Sequence, residues 1–192
     1  MSVSRETIDR LKEFSNLVCR WNEHINLVAP STLGLLEQRH VEDSAQLSEL
    51  APPAHTWIDL GSGGGFPGIV ISILRPTTRV LLVESDRRKS VFLRTAVRNL
   101  QLNAEVIDQR IENVSPRGGD IVSARALAPL RKLIPLAIRH GVSDTTYVFP
   151  KGISYQQEIA EAKTSWEFDV DVRPSKVNKE GVILLMRNFK RV

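Results

Sequence analysis

Asp59-Leu60-Gly61-Ser62-Gly63-Gly64-Gly65-Phe66-Pro67-Gly68 is the stretch that decides the fold. It follows an apolar pentapeptide, TWIDL (56–60), and precedes a helical candidate at 67–74. A strand that breaks into glycines and re-forms as a helix presents bare backbone amides at a helix N-terminus, where an anion or polar ligand can approach closely. In an open α/β sheet this is the crevice at the carboxyl ends of the strands, where ligands bind.

Outward from the loop the chain alternates. RVLLVE (79–84), EVIDQ (105–109), DIVSA (120–124) and TYVFP (146–150) read as further strands, with helical candidates at 86–100 and 129–140. That β-α-β order predicts a parallel sheet covered by helices on both faces. The tail departs from it. SYQQEIAEAKTSW reads as a helix, and EFDVDVRP and GVILLMRN as two strands. Only turn residues of the Asn178-Lys179-Glu180 kind lie between them, too short a link for a parallel crossover, so an antiparallel C-terminal strand is expected. Upstream, Ile8, Leu11, Phe14, Val18, Trp21 and Ile25 recur at helical spacing over 5–25, with Ser4 as N-cap. A second helix is expected from Leu33 to about Leu50, ended by Pro52-Pro53. The expected organisation is a helical N-terminal extension, 1–52, on an α/β domain, 53–192.

Composition narrows the classes. With 192 residues, 42% hydrophobic and 25% charged, the chain can bury one core, which excludes wholesale disorder. A single cysteine, Cys19, excludes an internal disulfide and fits a reducing compartment. No apolar run reaches the roughly 18–20 residues of a membrane span. MSVSRETIDRLKEF lacks the apolar stretch of a secretory leader. A cytoplasmic monomer without a metal is the expectation. The net charge of +4 permits a polyanionic partner without demanding one.

The ligand of the glycine loop has two readings. Gly63-x-Gly65-x-x-Gly68, with Glu84 lying 21 residues after Gly63, satisfies the dinucleotide fingerprint, so NAD is one. S-adenosyl-L-methionine is the other, and three features favour it. Asp59 makes the loop D-x-G-x-G-x-G, which resembles the first motif of class I methyltransferases; in that resemblance the acid helps to order the loop and the methionine ammonium nearby, so Asp59 joins Gly61, Gly63 and Gly65 as expected cofactor-binding residues. The third strand ends near Asp108, Ile111 and Glu112, where such enzymes edge the adenine. The antiparallel tail also resembles the methyltransferase sheet end. An oxidoreductase would want a proton relay such as Tyr-x-x-x-Lys, and Tyr147 precedes Lys151 only along a strand. A pocket reused as an RNA clamp is a third reading, disfavoured by intact Asp59, Gly61, Gly63, Gly65 and Glu84. No Gly-Lys-Ser/Thr comes after the loop, which excludes a P-loop. Glu84 closes its strand, before an expected N-cap at Ser85, where its carboxylate could accept from both ribose hydroxyls.

The acceptor is narrowed by chemistry. The sole cysteine lies far from the cleft, against pyrimidine C5 methylation. Ser123-Ala124-Arg125-Ala126-Leu127-Ala128-Pro129 contains no Asn/Asp-Pro-Pro-Tyr-like motif of amine methyltransferases, and an arginine there suits hydroxyl deprotonation poorly. An acceptor already nucleophilic when neutral remains, such as a ring nitrogen. Arg125 and Lys151 would then position substrate.

Across nearly its whole length the sequence closely resembles the RsmG (GidB) family, which methylates N7 of a guanine in bacterial 16S ribosomal RNA. The likeness rests on Trp21-Asn22 with Asn26-Leu27, Arg39-His40-Val41-Glu42-Asp43-Ser44, the block Asp59 to Gly68, Arg75-Pro76, Lys89-x-x-Phe92-Leu93, Ser123-Ala124-Arg125-Ala126 and Lys151-Gly152. It implies a seven-stranded class I methyltransferase fold with S-adenosyl-L-methionine as cofactor and 16S ribosomal RNA or the small-subunit particle as partner. By resemblance Gly61, Phe66, Ile111, Glu112 and Arg125 contact the cofactor, Glu84 its ribose, and His40, Asp43, Arg125 and Lys151 line the RNA site. Lys151 is the expected phosphate ligand. Two departures stand out: Ala124 replaces a serine common before the arginine, and the N-terminus is shorter than usual. Arg87-Arg88-Lys89 reads as a solvated helix face, and Trp21 and Trp57 as core.

Overall fold

The computed structural model describes residues 4–192; the first three residues, part of both the leader reading and the 1–52 extension, lie outside the described residues. Helix α1 (Arg5–Asn22) opens the described chain, capped by the Ser4 hydroxyl, which accepts from Thr7 N–H at 3.1 Å. It stops short of the expected residue 25 because the Asn22 side chain turns the chain, accepting from the amides of both Leu27 and Val28 at 2.9 Å. The expected second helix is three pieces: a 3-10 turn at Pro30–Leu35, a π-helical turn at Glu37–Glu42, and α2 (Asp43–Leu50). A π turn widens the helix by one residue and so rotates the helical turns beyond it. Here it carries His40.

The sheet contains β1 (Thr56–Leu60), β2 (Arg79–Glu84), β3 (Ala104–Asp108), β4 (Gly119–Ala124), β5 (Gly141–Lys151), β6 (Trp166–Pro174) and β7 (Val182–Arg191). Between them lie α3 (Gly68–Leu74), α4 (Arg87–Asn99), α5 (Leu130–Ile138) and α6 (Tyr155–Lys163). Spatial order is β3-β2-β1-β4-β5-β7-β6. β7 alone runs antiparallel, pairing with β5 on one side and β6 on the other. The α/β class, the strand set and the antiparallel C-terminal strand are as the sequence implies. The cap of α4 is not: Asp86, rather than Ser85, accepts from the amides of Arg88 and Lys89.

Both sheet faces are buried, which is why the central strands are almost continuously apolar. Trp57, Val80 and Leu82 face one core with Phe14 of α1, Phe66, Ile69 of α3 and Phe92 of α4. Ile58, Leu60, Leu81 and Val83 face the other, with Leu130 and Leu133 of α5. Trp57 is core, as its sequence context implies. Trp21 is half-buried and edges Phe92 with ring centres 5.6 Å apart. Strand order reverses between β1 and β4, and their register pairs Asp59 with Ser123 and Leu60 with Ala124. The switch point therefore sets the glycine loop and Arg125 side by side at the same sheet edge.

The N-terminal helix is part of this core. Phe14 is fully buried, with its ring 5.1 Å from Phe66 and 6.4 Å from Phe92. Phe14→Ala should lower stability by about 3–5 kcal/mol, the usual cost of emptying such a site. Urea unfolding checks this, and a loss under 1 kcal/mol, on the order of a surface change, would show that α1 is not part of the cooperative unit.

Candidate active site

The glycine loop is shaped by left-handed backbone at Gly61, Gly63 and Gly65, with φ of 71°, 53° and 85°. At Gly65 a side chain is excluded twice over: a Cβ would stand 2.7 Å from Ile69 Cγ1 and 3.0 Å from Phe14 Cζ. Asp59, buried beneath, anchors the loop. One carboxylate oxygen accepts from the Ser123 hydroxyl at 2.8 Å, the other from Gly68 N–H at 3.2 Å. Ser123 in turn accepts from the Trp57 indole at 2.8 Å. Burial pushes the Asp59 carboxyl up to about 6, against the pull of these hydrogen bonds and of Arg125. Asp59 thus orders the loop from below rather than facing the cleft.

Glu84 ends β2 with one oxygen accepting from Gly63 N–H at 2.8 Å and the other from Asp86 N–H at 2.7 Å. Each oxygen keeps lone-pair capacity for one further donor. Beside it Asp108 ends β3 and meets Arg94 at 3.3 Å. The adjoining 3-10 turn holds Ile111 buried and Glu112 exposed, with the Glu112 carbonyl taken by Arg139. Glycine loop, Glu84 and the Ile111 turn therefore form one continuous edge at the ends of β1, β2 and β3.

Arg125 emerges from β4 into a cluster. Its guanidinium lies 3.4 Å from Asp43, 3.1 Å from His40 Nδ1 and 5.3 Å from the Phe66 ring centre. An arginine only donates, so His40 Nδ1 must accept and its Nε2–H must donate to Thr32 Oγ1, at 2.9 Å. That direction agrees with Thr32 passing its own proton to Ala29 O at 2.8 Å. The ring is held neutral. Burial, then Arg125 and Arg39, lowers its pKa to about 4. Burial also lowers Arg125, while Asp43 opposes the shift. Gln46 fixes Asp43 with an N–H at 2.8 Å and ties it to the turn after β6 through Ser175 Oγ and Lys176 N.

Lys151 is not the free cation expected of a phosphate ligand. Its Nζ donates to Glu158 at 2.7 Å and to Ala128 O at 2.8 Å, and its side chain is 10% exposed. The same Glu158 oxygen accepts from Leu130 N–H at 2.9 Å. The two cation clusters line a cleft of about 490 Å³, walled by Asp43, Arg125, Lys151, Glu158 and Asn178. Leu127 lies on its rim and reaches Gly61, where a Cβ would stand 2.7 Å from Leu127 Cδ1. The structure thus gathers His40, Asp43, Phe66 and Arg125 in one cluster and sets Lys151 across the cleft. Glu84, Ile111 and Glu112 stand along the other edge. Sequence reading missed Thr32, Gln46 and Glu158, whose roles come from contacts far apart in the chain.

The His40 shift predicts a pH signature. Its folded pKa, about 4, lies below the unfolded 6.5. The unfolded chain then takes up the proton first on acidification. The contribution of neutral His40 is full above about pH 7 and is lost as pH falls toward 4. The stability of the native chain minus that of His40→Gln should therefore shrink between those limits. Asp59, with a raised pKa, acts in the opposite sense but cancels in the difference. Urea midpoints across the range test this, and a pH-independent difference would mean that the ring is not held neutral.

The chain is similar to known proteins along its whole length. A family profile described as GidB, rRNA small subunit methyltransferase G, matches residues 7–184. A "Ribosomal RNA small subunit methyltransferase G" of Cereibacter sphaeroides is 46% identical over 197 residues, covering 100% of this chain and 95% of the relative. That of Gluconobacter oxydans is 46% identical over 191 residues, covering 100% and 98%. Among solved structures, M. jannaschii TYW2 in complex with AdoMet superposes with a TM-score of 0.62 at 15% identity, covering 80% of this chain and 76% of that one. A ribosomal protein L11 methylase from Lactobacillus delbrueckii gives 0.59 at 20%, covering 78% and 76%. These two likenesses establish the class I methyltransferase fold, and the matches along the full length of the chain establish that it belongs to the GidB family, the small-subunit ribosomal RNA methyltransferases G.

Proposed function

We propose that this chain transfers a methyl group from S-adenosyl-L-methionine to N7 of a specific guanine in 16S ribosomal RNA, as a cytoplasmic enzyme acting on that RNA or the small-subunit particle. The observation that carries the reading is the meeting, at one sheet edge, of the family's glycine loop and a cleft of about 490 Å³ whose cations are paired with carboxylates. In this reading the segment up to residue 52 is an extension that supplies His40 and Asp43 to the methyltransferase domain, 53–192.

The residues fit the cofactor. Left-handed Gly61, Gly63 and Gly65 turn the loop tightly, and at Gly63 the place a Cβ would take is open, with only Gly61 O near it at 3.8 Å. Glu84 retains one acceptor site per oxygen for ribose hydroxyls, and Ile111 and Glu112 would flank the adenine. Gly61, Phe66 and Arg125 would bound the methionine end, with Asp59 fixing the loop from below. When bound, the sulfonium supplies an electrophilic methyl carbon. Glu84 alone would serve NAD equally well, so calorimetric titration with both compounds is the direct check; binding of NAD and not S-adenosyl-L-methionine would sink the assignment.

The chain's own task in the reaction is positioning. Guanine N7 carries a lone pair free at neutral pH, so no proton need leave before it attacks. His40 could not take one in any case. Its accepting nitrogen faces Arg125 and its proton is given to Thr32. Arg125, braced by Asp43, His40 and the Phe66 ring, would bear on the base and hold it in line with the methyl carbon. Such alignment can supply ~7–11 kcal/mol of a barrier. Single-turnover methylation of 16S ribosomal RNA, mapped to N7 by cleavage of the alkylated purine, should be nearly flat from about pH 6 to 9. A tenfold fall per unit of acidification would instead demand a deprotonated acceptor.

A further inference from the structure

We infer that Lys151 reads the O6 carbonyl of the target guanine as a charge-compensated donor, and that Glu158 is the residue that positions it. The inference deepens the guanine-N7 reading and rests on it. An ammonium has three N–H donors. Two are occupied, by Glu158 at 2.7 Å and Ala128 O at 2.8 Å, and Lys151 lines the cleft. One donor remains for a substrate. Its aim is fixed from both sides, because Glu158 also holds Leu130 N–H and so ties α6 to the start of α5. The Ala126–Pro129 segment between Arg125 and that tie carries Ala126 in left-handed backbone at φ 52°. Glu158 therefore sets the wall of the cleft and the lysine that crosses it.

A guanine held for attack at N7 presents O6 next to the reacting atom, and O6 is an acceptor. Adenine has an amino donor there. With the remaining N–H offered to that position, adenine would set two donors against each other, which is the strong form of discrimination. Charge decides why the lysine is paired. As N7's lone pair forms the bond to carbon, the carbon–sulfur pair stays on sulfur and the positive charge passes to the guanine ring; no proton moves. A bare ammonium on O6 would draw density from N7 and repel the ring as it becomes cationic. The Glu158 carboxylate, on the far side of the same Nζ, offsets that repulsion while leaving the hydrogen bond. A compensated lysine also releases few counterions from a phosphate backbone, unlike a free one.

The test uses the full chain and 16S ribosomal RNA bearing either guanine or 2,6-diaminopurine at the methylated position. 2,6-Diaminopurine keeps N7 but replaces O6 with an amino group. The native chain should prefer guanine by about a hundredfold or more in single-turnover rate. Lys151→Met should reduce that preference by about tenfold while leaving the salt dependence of RNA binding nearly unchanged. Glu158→Gln, which keeps an acceptor for Leu130, should slow guanine methylation about tenfold at saturating RNA and steepen the salt dependence by up to about one unit, since its lysine charge is unmasked. If that variant does not fold by thermal unfolding, Glu158→Asp keeps the charge with a shorter reach and should lose rate at the native salt slope. An unchanged base preference in Lys151→Met overturns the proposal, as does a native rate in the folded Glu158 variant. A shallower slope by about one unit in Lys151→Met makes the lysine a phosphate ligand instead. A native chain that leaves guanine N7 unmethylated removes the underlying reading itself.

Discussion

Everything at the active edge hangs on a carboxylate kept out of water. Asp59 sits at the end of the central strand, 1% exposed, with the Ser123 hydroxyl on one oxygen and the Gly68 amide on the other. Burying a charge is tolerated only where its hydrogen bonds are supplied, and here each bond fixes a different element. Ser123, itself fixed by the Trp57 indole, locks the end of β4 and with it the exit direction of Arg125. The Gly68 amide locks the start of α3 and so closes the glycine loop. Gly68 has no room for a side chain, because a Cβ would run into Leu82 and stand 2.8 Å from the carboxylate. The loop and the arginine are thus positioned by one buried group that does not itself line the cleft.

The second constraint is charge balance. Each cation of the cleft has its own carboxylate: Arg125 with Asp43, Lys151 with Glu158. Buried pairs are poor sources of stability, since desolvation cancels most of the attraction, and removing one partner leaves an uncompensated charge. What they offer is fixed direction. For a reaction in which a positive charge is carried from one group to another and no proton is exchanged, uncompensated cations around the acceptor would work against the product. Donors whose charge is neutralised from behind, as proposed for Arg125 and Lys151, would hold the base without opposing it. A histidine held neutral by burial, with Arg125 and Arg39 acting in the same direction, fits the same logic.

The fold is readable because its signals are local. Alternating apolar strands, helical spacing over 5–25 and the Asp59–Gly68 loop are each local patterns, and a turn too short for a crossover forces β7 antiparallel. The misses have a common cause too. Residues 30–50 carry apolar spacing compatible with one helix, yet Pro30 starts a 3-10 turn and the chain then widens into a π turn, a switch that no short pattern announces. Ser85 and Asp86 are both good caps, and only the folded geometry chooses Asp86. Lys151 reads as a phosphate ligand in sequence because its partner, seven residues on, lies across a strand–helix turn. Thr32 and Gln46 belong to polar residue types abundant on any surface; their meaning comes from His40, Asp43 and a turn some 130 residues away.

That last contact shows how the cleft is assembled. Gln46 donates to Asp43 and Ser175 and accepts from Lys176 N–H, so one amide joins the N-terminal segment to the turn between β6 and β7. The same turn contributes Asn178 and Gly181 to the cleft wall opposite Arg125. Neither segment belongs to the strand–helix repeat that carries the glycine loop. The repeat supplies the glycine-loop edge, and segments that wall the cleft beside it come from both ends of the chain and are tied to each other across it. A change at Asp43 or Gln46 therefore reaches the cleft directly, whereas a change at Phe14, whose ring stands against Gly65 and Phe66, reaches the glycine loop. The N-terminal segment in this way braces both the wall of the cleft, through Asp43 and Gln46, and the glycine loop, through Phe14.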